Sequence, residues 1–174
     1  MVAASLPLAI GSVAAAAAQA APDPKAGEPL IITPGSVPRY TGQQGREADI
    51  TELLARAEQT GGSLGVFRQT IAPGSGPPAH IHRHEGEFAY VLSGDFKFRL
   101  GDSVVSVPVG SFIFIPRGAT HAFKNVGAEP GVLLFGVTPG GLETMFAQRQ
   151  GVDAETNKKL MQEHQMEVVG PPIN

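Results

Sequence analysis

Short stretches of alternating apolar and polar residues occupy the middle of the chain, between positions 63 and 138. Alternation with a period of two is typical of β-strands, because successive side chains of a strand point to opposite faces. Turn signals such as Gly94-Asp95 and Gly101-Asp102 separate the stretches. The predicted strands are Leu64–Ile71, Glu87–Leu92, Phe96–Leu100, Val104–Val107, Phe112–Ile115, His121–Lys124 and Val132–Val137. Seven short strands with tight loops predict an all-β barrel or sandwich.

Helical patterns flank this strand-rich region. Residues Ile50–Ala57 contain apolar side chains at helical spacing among good helix formers, so local propensity favours a helix there. Near the C-terminus, Leu142–Gln148 and Asp153–Gln165 are predicted helices. Asp153 is placed to cap the second of them.

The N-terminal segment has the composition of an export signal. No charged residue occurs before Asp23, and an Ala-rich stretch ends in Ala18-Gln19-Ala20, the small-x-small form of a signal-peptidase site. The segment lacks the basic residues that usually begin such a signal, which leaves a weak membrane anchor or a disordered tail as alternatives. We expect an exported, periplasmic or secreted protein without a stable membrane span. The predicted units are an export signal at 1–20, a Pro-rich arm at 21–45, a β-barrel domain at 46–140 and a helical tail at 141–174 that packs on the barrel.

The composition of the chain narrows its chemistry. The 174 residues include 13 Lys and Arg and 16 Asp and Glu, which gives a formal net charge of -3. We therefore expect no nucleic-acid partner, because no basic stripe is present to bind phosphates. The chain contains no cysteine, which excludes disulfides, thiolate metal sites and cysteine nucleophiles. A metal in this protein must then be bound by His, Asp or Glu.

Four of the five histidines lie in the strand-rich region, and three of them stand within five residues. Because residues i and i+2 of a strand share a face, His80 and His82 can present two imidazoles to one point. Glu87 opens the next predicted strand, and His121 opens a later one, so both can approach the same point. Three imidazoles and one carboxylate form a nitrogen and oxygen donor set for a divalent first-row transition metal.

The same residues fit two regularly spaced sequence patterns. The first is Gly74-x5-His80-x-His82-x4-Glu87-x6-Gly94. The second is Gly110-x5-Pro116-x-Gly118-x2-His121-x3-Asn125. Both match the two consensus motifs of the cupin superfamily at every defining position. The surrounding sequence resembles the small single-domain, type-2 cupins that are often described as quercetin-dioxygenase-like.

This resemblance implies a mainly β fold, a cupin β-barrel or small jelly roll with C-terminal helices, in which Ile50–Ala57 is a strand. It also implies that His80, His82, Glu87 and His121 are the metal ligands. The cofactor would be one divalent transition metal, Fe, Mn, Ni, Cu or Zn, and Glu87 could leave its ligand role to act as a catalytic base. A homodimer is also expected, because small cupins commonly pair through sheet edges or exchanged N-terminal strands.

The resemblance favours a metal-dependent, dioxygenase-like enzyme that acts on a small-molecule substrate, with O₂ as a candidate co-substrate. Two alternatives stay open, because one fold hosts many chemistries. The protein could be a non-oxidative isomerase or lyase, or a non-catalytic cupin that binds a small molecule or a metal. The pocket is expected to be rich in Phe and poor in Arg or Lys, which argues against strongly anionic substrates such as oxalate or sugar phosphates unless Arg99 or Arg117 faces inward.

Three further polar residues near the motifs have no fixed role. His84 is expected in a solvent-facing loop, because the chain must turn before Glu87. Glu85 competes with Glu87 as the carboxylate ligand, but Glu87 immediately precedes the next strand and is favoured. Asn125 either bonds to local backbone at the end of a strand or belongs to the site.

Overall fold

The computed structural model describes residues 28–41 and 46–174, and β-strands dominate it. The strands are β1 (Arg39–Tyr40), β2 (Ile50–Ala55), β3 (Gly65–Ile71), β4 (His80–His82), β5 (Gly86–Ser93), β6 (Phe96–Leu100), β7 (Ser103–Val107), β8 (Phe112–Ile115), β9 (His121–Asn125), β10 (Gly131–Thr138) and β11 (Met166–Val168). The helical elements are a 3₁₀ turn (Leu142–Thr144), α1 (Met145–Gln148) and α2 (Ala154–Glu163).

The described strands form two antiparallel sheets. The larger sheet has the order β1-β2-β3-β10-β5-β8, and the smaller has the order β11-β4-β9-β6-β7. This arrangement confirms the all-β prediction and corresponds to a small jelly roll, in which two sheets face each other, rather than to one closed barrel. The short helices follow the last strand of the larger sheet, as the sequence predicted.

The segment with ambiguous helical spacing is a strand. β2 pairs along its length with β3, so that Ile50 lies opposite Thr70 and Leu53 opposite Phe67. β2 pairs with β3 on one side and, at two residues, with β1 on the other, and Leu53 is buried. These interactions outweigh differences in helix propensity, which are at most about 0.7 kcal/mol per ordinary residue. The family resemblance predicted this segment correctly, and local propensity did not.

Aromatic rings fill the space between the two sheets. Phe135 of the larger sheet stacks on Phe67, with ring centroids 5.1 Å apart, and contacts Phe123 of the smaller sheet at 5.4 Å. Phe146 of α1 lies against Phe67, with centroids 4.8 Å apart. Each of these rings is at most 7% exposed. The aromatic cluster therefore joins both sheets and α1 into one hydrophobic core.

Two buried polar side chains fix the connections around this core. Glu143 is fully buried and accepts hydrogen bonds from the backbone N–H groups of Ala57 and Gly141, each at 2.7 Å. Asn125, also fully buried, donates to the carbonyl oxygens of Ile71 and Glu129, each at 2.9 Å. Of the two roles considered for Asn125, the structure shows the bonding of backbone.

Part of the N-terminal predictions falls beyond what the structure describes. The predicted export signal at 1–20 lies outside the described residues, as does the arm at 21–45 except for 28–41. Within 28–41 and 46–174, no helix is long and apolar enough to cross a membrane.

Replacement of Asn125 by Ala should destabilise the fold. The change leaves the buried carbonyl oxygen of Ile71, the carbonyl oxygen of Glu129 and the N–H of Gly127, which donates to Asn125 at 2.9 Å, without their partner. We expect the free energy of unfolding to fall by about 2–4 kcal/mol in urea titration. The control is Gln162→Ala, because Gln162 is an exposed side chain on α2. This substitution should change the free energy of unfolding by less than about 0.5 kcal/mol.

Candidate metal centre

Three imidazoles converge from neighbouring strands of the smaller sheet. His80 and His82 lie on β4, and His121 lies on β9, directly opposite His80 in the register. One donor nitrogen of each lies within 4.8 Å of the others. The three side chains are 5%, 4% and 1% exposed, so water does not solvate the cluster freely. Period-two alternation on β4 and pairing with β9 place all three rings together, as predicted from the sequence.

Backbone carbonyls set the orientation of two of these rings. Nδ1 of His80 lies 2.8 Å from the carbonyl oxygen of Pro78, and Nδ1 of His121 lies 3.0 Å from that of Ala119. A carbonyl oxygen can only accept, so each Nδ1 must carry the proton. Each neutral ring then holds a free lone pair on Nε2, the arrangement found in metal-binding histidines whose second nitrogen is fixed by an outer partner.

Glu87 approaches the imidazoles from the larger sheet. It lies on β5, and its Oε2 atom is 3.0 Å from Nε2 of His82 and 3.8 Å from Nε2 of His121. Burial alone would raise the pKa of this carboxyl group. The facing imidazoles, chiefly His82, outweigh burial and lower the pKa of Glu87 to about 2. Glu87 is therefore ionised at neutral pH.

Buried donor atoms in the cluster fit a metal ion. Nε2 of His121 and both ring nitrogens of His82 are buried without a hydrogen-bond partner, although the carboxylate of Glu87 is near. Oε2 of Glu87 nevertheless lies only 3.0 Å from Nε2 of His82. Two ligand atoms that bind one metal at right angles, each about 2.1 Å from it, lie about 3.0 Å from each other. The separation between Nε2 of His82 and Oε2 of Glu87 matches this distance. Buried nitrogens without partners are costly, and coordination of a cation would satisfy them.

The protonation states of the imidazoles also favour a cation. Burial, followed by the neighbouring imidazoles, lowers the pKa of His80 well below its usual value. Burial likewise lowers the pKa of His121, against the effect of Glu87. Both rings are thus neutral at pH 7, and neutral imidazole is the form that binds metals.

A cavity of about 230 Å³ opens next to the imidazoles, and the residues Glu87, His80 and His82 line it. Much of the remaining wall is apolar, as the sequence led us to expect. The expectation of an Arg-poor pocket was wrong, however, because Arg46 and Arg149 both line the cavity. Neither belongs to a motif or a predicted strand, so the sequence carried no signal for them. Arg99 and Arg117, the two arginines considered beforehand, do not line this cavity.

The neighbouring polar residues His84 and Glu85 do not line the cavity. His84 is exposed in the bend before β5, as expected for a loop histidine. Glu85 is buried, with its Oε2 atom lacking a hydrogen-bond partner, but it does not line the cavity. Burial raises the pKa of Glu85, in contrast to Glu87, and the nearby imidazoles of His82 and His84 offset this effect only in part.

Comparison with known proteins agrees with this fold. The model of the cupin domain matches residues 67–137. Protein SchB of Streptomyces halstedii is 32% identical over 96 residues, which cover 54% of this chain and 68% of that protein. An oxalate-binding protein of Thermotoga maritima is 30% identical over 98 residues, which cover 55% and 78%. A jelly roll of two sheets that brings imidazoles together at one cavity defines a cupin-type protein. The chain belongs to the cupin superfamily.

Solved structures support the same assignment of the fold. A predicted oxalate decarboxylase from Thermotoga maritima superposes with a TM-score of 0.55 over 63% of this chain and 99% of that chain. The identity between the two sequences is 21%, so the likeness concerns the fold alone.

Replacement of His82 or His121 by Ala should weaken metal binding strongly, because each deletes one of three converging donors. We expect the affinity for Zn²⁺, measured by titration of metal-stripped protein, to fall by at least about tenfold. His84→Ala is the matched control, since His84 is exposed and outside the cluster. Equal losses in all three variants would show that the ligands are assigned wrongly.

Proposed function

We propose that this cupin is a metal-dependent enzyme of the dioxygenase-like type that acts on a small organic molecule. The observation that carries the proposal is the position of three buried imidazoles and one ionised carboxylate beside a cavity of about 230 Å³. A cavity of this size suits a small molecule and is too small for a polymer. A metal site of this kind beside such a cavity is typical of enzymes.

His80, His82, His121 and Glu87 would hold the metal. A bound divalent transition metal would polarise a coordinated oxygen atom of the substrate or supply redox chemistry. The chain itself contributes the orientation of the imidazoles, through Pro78 and Ala119, and the exclusion of bulk water, because all four side chains are at most 5% exposed. This donor set accepts Fe, Mn, Ni, Cu or Zn, so the identity of the metal depends on supply as well as on the ligands.

Glu87 is the residue that we propose as catalytic base. A base must be ionised before it can accept a proton, and a pKa of about 2 ensures this at neutral pH. The same low pKa makes Glu87 a weak base, which favours substrates whose hydroxyl group is acidic, such as enols and phenols. The proton would pass to an oxygen of Glu87 when the carboxylate turns towards the substrate.

A non-oxidative or purely binding role is the second candidate. One relative is an oxalate-binding protein, and one structural neighbour is a predicted oxalate decarboxylase. Such roles would use the same ligands without consumption of O₂. The two candidates therefore differ in oxygen uptake rather than in the metal centre.

Two further expectations stay predictions. Export is proposed from the charge-free, Ala-rich segment 1–20. Homodimerisation is proposed from the exposed apolar side chains Phe112 and Phe114 on β8, the edge strand of the larger sheet, which are 62% and 59% exposed. An apolar edge strand with free backbone groups is a template for pairing with a second chain.

Oxygen uptake tests the favoured function. Protein purified without a histidine tag is loaded in turn with Fe, Mn, Ni, Cu and Zn, and its O₂ consumption is followed with a panel of flavonols and simpler enols. We expect uptake that depends on one of the redox-active metals and that Glu87→Gln reduces by about 10²–10⁴-fold, the usual contribution of a general base.

Glu85→Gln is the matched control for this experiment, because it makes the same chemical change two positions away, outside the cavity. We expect its O₂ uptake to stay within about threefold of the unmodified protein. Metal binding without uptake by any loaded form would contradict the dioxygenase and favour the second candidate. An equal loss in Glu85→Gln and Glu87→Gln would contradict the role of Glu87.

A further inference from the structure

Two arginine side chains line the cavity beside the candidate metal centre. Arg46 lies just before β2, and Arg149 follows α1, so they come from opposite ends of the described chain. The side chain of Arg46 is 12% exposed, and that of Arg149 is half-buried. Guanidinium groups are seldom placed in a largely apolar cavity without an anion to bind.

Asp49 holds Arg46 in a fixed position. Its Oδ2 atom accepts from Nε of Arg46 at 2.6 Å and from the hydroxyl of Ser75 at 2.8 Å, and its Oδ1 atom accepts from the N–H of Ala72 at 2.8 Å. The guanidinium group also lies 5.5 Å from the centre of the Phe123 ring. The Arg46 side chain is thus pre-organised before any ligand binds.

One donor of Arg46 remains without a partner. Its Nη2 atom is buried and makes no hydrogen bond. A buried cationic N–H₂ group without an acceptor is costly, and Asp49 is engaged at Nε and with the backbone. An acceptor inside the cavity would satisfy this group.

Arg149 adds a second positive charge without a carboxylate of its own. Its Nε donates to the side-chain oxygen of Asn157 at 2.5 Å, and among the described residues it forms no ion pair. Burial, followed by the charge of Arg46, lowers the pKa of Arg149. The two positive charges repel each other where little water screens them. An anion bound by both guanidinium groups would offset this repulsion with two attractive interactions.

The rest of the cavity wall is suited to an apolar molecular body. Side chains of Phe67, Phe135, Leu142, Met145 and Phe146 line it. Inorganic phosphate or oxalate would leave this wall without contacts, whereas a molecule with one carboxylate and an apolar body would fill both parts of the cavity.

We propose that the cavity binds a small organic carboxylate with an apolar body, whose carboxylate is held by Arg46 and Arg149. This inference rests on the proposed function only in that it places the ligand in the cavity of the metal centre. A planar carboxylate can accept from two guanidinium donors at once, which gives orientation as well as affinity. The arginines would thereby direct the opposite end of the ligand towards the imidazoles.

Calorimetric titration with benzoate tests the inference, with benzamide as the neutral probe of the same shape. Oxalate and inorganic phosphate are the anionic probes without an apolar body. We expect benzoate to bind at least about tenfold more tightly than each of the other three, because it alone uses both parts of the cavity.

The variant Arg149→Gln should weaken benzoate binding by at least about tenfold and leave benzamide binding unchanged. Arg149→Lys, which keeps the charge but loses the planar fork, should give a smaller loss. The control is Arg117→Gln, because Arg117 is exposed and outside the cavity wall. Unchanged benzamide binding shows that the cavity of each variant is intact. If Arg149→Gln fails to fold, the Lys variant still decides the outcome.

Titration of metal-stripped protein separates this inference from the proposed function. If metal-stripped protein binds benzoate more tightly than benzamide, the inference is supported. If the same protein then fails to bind any added metal, the proposed metal centre is contradicted while the inference stands. Equal affinities for benzoate and benzamide would overturn the inference, even in protein that binds metal. Phosphate or oxalate binding as tightly as benzoate would also overturn it, because the apolar wall would then have no role.

Discussion

The structure depends on the compensation of one buried carboxylate. Glu87 projects from the larger sheet and is 5% exposed, a position in which an isolated charge would be strongly destabilising. Three imidazoles on the smaller sheet face it and keep it ionised. The two sheets must therefore pack face to face in the arrangement that brings β5 close to β4 and β9. The same packing that buries the aromatic core also builds the donor set.

The cluster of imidazoles around Glu87 is incomplete without a cation. Buried nitrogens of His82 and His121 have no hydrogen-bond partner, and burial keeps His80 and His121 from taking up protons at neutral pH. A divalent metal would satisfy these atoms and the carboxylate together. Arg46 lines the same cavity, and its buried Nη2 atom has no hydrogen-bond partner although Asp49 binds its Nε atom. The same cavity is therefore lined by the proposed metal ligands, by two arginines and by apolar side chains.

The sequence predicted the parts of this arrangement that depend on local spacing. The seven strands follow from period-two alternation, and the donor residues follow from two motifs whose turns fix their positions. The strand at Ile50–Ala55 required the family resemblance, because pairing with β3 overrides its helical propensity. Strands β1 and β11 are too short to show a period. The sequence could not predict that Arg46 and Arg149 line the cavity, because their positions depend on tertiary packing rather than on local spacing.

X-ray absorption spectroscopy of the zinc-loaded protein tests the metal centre most directly, because it counts the ligands and identifies imidazoles by their outer-shell scattering. The account predicts nitrogen and oxygen ligands at about 2.0–2.2 Å, with scattering from three imidazoles. In Glu87→Gln, the three imidazoles should persist while the oxygen contribution changes. A spectrum with one imidazole or none, as for a hydrated ion held at the surface, would contradict the account.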